Sequence, residues 1–119
     1  MAKAGTTATR SVRPQEPAWL VVARRKIGTR EAPGPANNPT IVGWARRLGT
    51  RVLGILYNAD DVPWCGVFVA HCLDEAGIAS PMLAVRARSW AAWGANLRPD
   101  RLAPGAVLVF ERQGGGHVG

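Results

Sequence analysis

Two cysteines and two histidines are the residues of this chain whose types and spacing suit covalent chemistry: Cys65, Cys72, His71 and His117. Cys65 stands in the run Asp60-Asp61-Val62-Pro63-Trp64-Cys65-Gly66-Val67-Phe68-Val69. Pro63 and the two acids place it in the first turn of a predicted helix. Backbone N–H groups there lack carbonyl partners and the helix dipole is positive, which favours an anionic sulfur as nucleophile. Cys72 falls at almost the same azimuth but about 10 Å further along the axis, so an intrahelical disulfide is impossible. Its neighbours Val69, Ala70 and Leu73 assign it to the core. His71 is turned about 240° from Cys65 around the same helix and points away from it. It is expected at the surface or in an indirect supporting role. His117 follows three glycines at the head of a predicted strand. An imidazole there can serve as general base to a thiol at a helix start, and the glycines leave it uncrowded. Two Cys and two His cannot make a four-ligand zinc site without carboxylates, and no metal-ligand spacing appears, so no metal and no cofactor are expected.

Positioning these residues requires helices first and strands last. Pro17 opens a predicted helix to Ile27, with Trp19, Leu20, Ala23 and Ile27 at helical spacing and Gly28 as its stop. An irregular loop, Thr29–Asn38, follows. Asn38-Pro39 starts a second helix whose face is Ile41, Trp44, Ala45 and Leu48, ended by Gly49. The third helix is predicted from Asp61–Pro63 to Ala76, with Gly77 as its stop. A fourth is predicted to open at Ser80-Pro81 and run through Ala84–Trp93 to Gly94. Within it, Trp90 and Trp93 at i, i+3 read as core. After Pro104-Gly105, the run Ala106–Phe110 is β-branched and apolar, as in a buried strand. Gly114–Gly116 is a flexible turn, and a second strand begins at His117-Val118.

The chain has 119 residues, with 15 Lys+Arg against 8 Asp+Glu and a net charge of +7, which suits one small domain. Apolar residues make up 47%, enough for a core. No run is long enough for a membrane span, and Met1–Pro17 has no apolar segment of a secretory signal. Residues 1–30 carry seven basic side chains and one acid, so nearly all the net charge sits there. Residues 1–15 are therefore expected to form a basic, disordered tail, and residues 16–119 one domain. Such an arm attracts polyanions, including anionic envelope polymers. No aromatic residue stands among its first basic residues, so nucleic acid is not expected as the main partner.

The runs Pro63-Trp64-Cys65 with Phe68-Val69, Ala87-Arg88-Ser89-Trp90, Trp93-Gly94, Pro104-Gly105 with Val107–Phe110, and Gly116-His117-Val118-Gly119 carry a resemblance. Upstream, Pro17-Ala18-Trp19-Leu20, Ile27-Gly28, Glu31-Ala32-Pro33-Gly34 and Asn37-Asn38-Pro39 extend it. Over residues 17–119 the chain resembles the papain-like cysteine peptidoglycan hydrolases of phages and bacteria, related to NlpC-like and CHAP-like domains. It departs from them at Ala106, where they usually carry Asp, and in stopping at Gly119, where they continue into further strands.

The resemblance implies an α+β, papain-like fold, with N-terminal helices packed on a small antiparallel sheet that is incomplete in this chain. It implies an endolysin-type amidase or endopeptidase that cleaves an amide of the cell-wall peptide. Cys65 maps onto the nucleophile and His117 onto the general base. The backbone N–H of Cys65 is a candidate oxyanion donor. Glu31, Asn37, Asn38, Asp60 and Trp64 are candidates to line the substrate cleft. The polar residue that orients the histidine lies beyond the family's Gly-His-Val-Gly, which makes a C-terminally truncated, inactive fragment acting as a cationic envelope or nucleic-acid binder the alternative. The expected protein is a monomer without stable membrane insertion. It is made in the cytoplasm without a signal peptide and acts at the wall after export or release.

Overall fold

A computed structural model describes residues 2–4, 16–33, 36–59, 62–113 and 115–119. In chain order it contains β1 (Ala2–Ala4), α1 (Ala18–Arg24), α2 (Pro39–Leu53) and α3 (Cys65–Glu75). A 3-10 helix, Ala87–Ala92, follows, then β2 (Ala95–Leu97), a 3-10 turn at Pro99–Arg101, β3 (Val107–Arg112) and β4 (Gly115–Val118). The strands form one antiparallel sheet in the order β2-β1-β3-β4. The class is therefore α+β, as expected. Within the segment expected as a disordered tail, Ala2–Ala4 instead form a strand between β2 and β3. Paired on both sides, this short piece satisfies backbone groups that a tail would leave to water. Residues 5–15 lie outside the described ones.

Each helix is bounded by local chemistry. The Asn38 side chain caps α2 by accepting from the Thr40 N–H at 2.8 Å, and Pro39 occupies the first turn. Gly49 breaks the helical path as expected (φ 79°, ψ 165°), but the chain re-enters the helix to Leu53, whose side chain is fully buried. The stop is Gly54, in the left-handed region at φ 85°. Helix α1 ends earlier than expected, at Arg24, because Arg25, Lys26 and Ile27 donate to carbonyls three residues back and tighten the turn. Ile27, expected on the inward face, is consequently 82% exposed.

The fourth predicted helix does not form as an α-helix. Leu83 has φ 56°, which interrupts any right-handed run. The N–H groups of Ala84 and Val85 donate to the Val52 and Leu53 carbonyls at the end of α2 (3.0 and 3.4 Å) instead of closing a turn of their own. A 3-10 helix then carries Trp90 into the core, where its Nε1–H donates to the Ala84 carbonyl at 2.9 Å. Trp93 packs edge-on against it with ring centroids 5.4 Å apart, so both tryptophans are structural.

The core lies between α2, α3, the 3-10 helix and one face of the sheet, and includes Ile41, Leu53, Val67, Leu73, Trp90, Val107, Val109 and Val118. Strand β3 is buried on one face only: Val107 and Val109 point inward while Phe110 is half exposed. Strand β4 begins at Gly115, two residues before the expected start, so Gly115 and Gly116 belong to the strand rather than to a turn. Its register pairs Phe110 with His117 and Val109 with Val118, and Gly119 continues the ladder through two hydrogen bonds with Leu108. Across the molecule, Trp19 Nε1–H donates to the Gly105 carbonyl at 2.7 Å and ties α1 to the turn that launches β3. Among the described residues no helix is long and apolar enough to cross a membrane.

Candidate active site

Cys65 is the first residue of α3, two residues inside Pro63, with Trp64 as the non-helical cap. Among the described residues no side chain caps this helix start, and the N–H of a first-turn residue has no carbonyl partner within its own helix. The thiol is half buried. Two packing features hold it there. First, Gly66 is buried where α3 crosses the Ala84–Val85 backbone. A Cβ at Gly66 would collide with the Ala84 carbonyl oxygen and lie 2.9 Å from that of Val85. Only glycine permits this approach. Second, Trp64, Phe68 and His71 form a stripe along α3 that packs on Trp44 of α2, with ring centroids 6.2, 5.9 and 4.8 Å from it. Their spacing is that of one helical face.

This stripe revises the expectation for His71. It points away from Cys65 as expected, but it is 4% exposed rather than at the surface. Trp44 gives the imidazole an aromatic face to stack on, at an interplanar angle of 14°. Neither ring nitrogen has a hydrogen-bond partner among the described residues. Burial pushes its pKa down from 6.5, and Lys26 and Arg47 push the same way against Glu75 and Asp74. Cys72 is core as expected, and burial raises its thiol pKa to about 11.

His117 lies on β4 and is exposed, with its ring stacked on Phe110 across the hairpin at 6.2 Å. Strand β4 packs close to the rest because Gly116 has no side chain: a Cβ there would lie 2.8 Å from the Phe110 carbonyl oxygen and 3.4 Å from Arg88 Cγ. Cys65 and His117 line one cavity of about 600 Å³, together with Trp64, Phe68, Glu31 and Lys26. Trp64 Nε1–H donates to Glu31 Oε1 at 3.3 Å, and both residues line the cavity. Among the expected cleft residues, Trp64 and Glu31 are therefore brought to the site. Asn38 is not: it caps α2 and donates through Nδ2 to the Arg30 carbonyl at 2.7 Å. Asn37 is exposed outside the cavity lining, and Asp60 lies outside the described residues.

The residues that sequence reading missed are Lys26, Phe68 and Arg112 in the cavity wall and Gly66 beneath the thiol. Phe68 was findable from the Trp64-Phe68-His71 spacing. Gly66 had no local signal, because its demand comes from a segment distant in sequence. Among the described residues, no three His, Cys, Asp or Glu side chains cluster as a metal site.

The arrangement provides a thiol at a helix start, an imidazole on a neighbouring strand lining the same cavity, and first-turn N–H groups that have no carbonyl partner within the helix. Together these can support nucleophilic attack on an acyl carbon. Compared with protein-family models, curated proteins and solved structures, the chain gives no significant match.

Proposed function

We propose that this chain is a cysteine amidohydrolase of papain-like design that cleaves an amide in the peptide of the bacterial cell wall. The observation that carries the reading is the convergence of Cys65, at the first position of α3, and His117, on β4, on a single cavity. The choice of cell-wall peptide as substrate rests on the motif resemblance at Pro63-Trp64-Cys65 and Gly116-His117-Val118.

In this reading His117 takes the Cys65 thiol proton as the sulfur attacks the scissile carbonyl carbon. The C–N bond breaks and the amine nitrogen leaves with the proton from His117. The acyl group remains on Cys65 as a thioester. Water then attacks the thioester, giving its proton to His117, and the released thiolate regains a proton. The Cys65 backbone N–H, without a carbonyl partner within its own helix, is the donor for the transient oxyanion. Glu31, held by Trp64, lines the same cavity beside Lys26 and Arg112 and offers a hydrogen-bond acceptor to the substrate.

Zymography on purified cell walls tests the reading. The native chain should produce a clearing band, and Cys65→Ala and His117→Ala should each abolish it. A band that persists in Cys65→Ala rejects the assignment of the nucleophile. Absence of clearing by the native chain, with salt-sensitive binding to walls, would favour the cationic binding module instead. Mass spectrometry of the digested wall peptides separates an endopeptidase from an amidase.

A further inference from the structure

A second cavity, of about 470 Å³, opens on the other side of Cys65. Cys65, Pro63 and Arg112 belong to both cavities; the rest of the second wall includes Arg86, Arg88 and Gly116. Arg86, Arg88 and Arg112, all three exposed, therefore line one space, and no carboxylate among the described residues lines it. The ion pairs formed among the described residues engage Arg24, Arg47 and Arg98 and leave these three out. Arg88 is anchored by donating from Nη2 to the Gly115 carbonyl at 3.2 Å. The Arg88 stem packs beside Gly116, where a side chain would crowd it. Cationic side chains grouped at one opening draw anions toward it. Guanidinium groups also match a carboxylate in shape, with paired N–H donors in a plane.

We propose that this second cavity is an anion-binding subsite that takes a carboxylate on the acyl arm of the substrate through Arg86, Arg88 and Arg112. The direction of the substrate rests on the hydrolase reading above. His117 lines the first cavity and not the second. The general acid must protonate the leaving nitrogen, so the amine arm occupies the first cavity. The acyl arm, joined to Cys65 in the thioester, then extends into the arginine-lined one. The enzyme thereby selects acyl groups that carry a free carboxylate close to the scissile carbonyl.

The subsite can be tested without any hydrolysis, by the rates at which iodoacetate and iodoacetamide alkylate Cys65, read by peptide mapping that separates it from Cys72. Both reagents transfer a carbon to sulfur with loss of iodide, and they differ in the carboxylate. The iodoacetate-to-iodoacetamide rate ratio should exceed that of glutathione. It should fall roughly thirtyfold in Arg88→Gln/Arg112→Gln, as expected for two charges lost near contact distance in water. Arg88→Lys/Arg112→Lys should retain most of the preference. Arg46→Gln/Arg51→Gln removes the same charge from α2, away from both cavities, and should leave the ratio unchanged. A native ratio no higher than that of glutathione overturns the proposal. So does an equal fall in the α2 variant, which would make the preference a property of overall charge. Wall clearing with an ordinary ratio would defeat the subsite and keep the hydrolase, whereas a raised, arginine-dependent ratio without clearing would keep the anion site and defeat the hydrolase.

Discussion

Protonation of His71 should weaken the fold, and the expected effect follows from its surroundings. The imidazole lies between α2 and α3, 4% exposed, stacked on Trp44 and without a hydrogen-bond partner among the described residues. Burial, with help from Lys26 and Arg47, holds its folded pKa below 6.5, while Glu75 and Asp74 only partly oppose this. Below the unfolded-state value the unfolded chain therefore binds more protons than the folded one. Stability then falls as pH drops from about 6.5 toward the folded pKa, by at most about 1.4 kcal/mol per pH unit from this group. Above about pH 7 both states hold a neutral ring and the effect vanishes. His71→Phe keeps an aromatic ring against Trp44 and removes two buried polar nitrogens. Because leaving such atoms unpaired costs about 1–3 kcal/mol, the variant should be more stable by roughly 1 kcal/mol near neutral pH. It should also lose the histidine-dependent slope. Urea unfolding followed by circular dichroism between about pH 5 and about pH 7.5 measures both quantities. Equal slopes in the native chain and in His71→Phe would refute the reasoning, since carboxylates titrate mainly below that window.

Gly66→Ala should destabilise the fold by about 1–3 kcal/mol, because its Cβ meets backbone oxygens that cannot swing aside as a side chain can; thermal unfolding reads this. The same variant should change the alkylation rate of Cys65, since the first turn of α3 must shift to relieve the collision. Cys72, with its pKa raised to about 11, should stay unreactive toward an aromatic disulfide reagent in the native chain at about pH 8. One thiol should then titrate before denaturation and both after it; two native equivalents would contradict the burial of Cys72. Trp19→Phe removes the hydrogen bond to the Gly105 carbonyl and should cost about 1 kcal/mol, without affecting the α2–α3 aromatic stripe.

Much of the fold could be read from local chemistry. Asn38-Pro39 opens α2 as its capping pattern indicates, and Pro63 precedes the helix that bears Cys65. The Pro104-Gly105 break and the apolar run after it locate β3. These features succeed because caps, prolines and glycines act over a few residues. The fourth helix fails for the opposite reason. Ala84 and Val85 spend their N–H groups on α2, a partner invisible to helical spacing, and Leu83 accepts a left-handed conformation to allow it. His71 was misjudged because an azimuth shows which way a ring points but not what waits there. Trp44, on another helix, turned that direction into the interior.

For the site, residue type and position singled out Cys65 and His117, because few side chains can act as nucleophile and base and each stands beside a recognisable start or turn signal. Glu31 and Trp64 were legible only as candidates, on equal terms with Asn37 and Asn38. Tertiary structure separated them by bringing Glu31 to the Trp64 indole and committing Asn38 to the cap of α2. It also decided what surrounds the sulfur: one cavity shared with His117 and another lined by Arg86, Arg88 and Arg112. A thiol's chemistry and a helix start are properties of short stretches of chain. A cavity is made of walls contributed by α1, α3, the 3-10 helix and the β3–β4 hairpin, and it exists only once packing has brought those walls together.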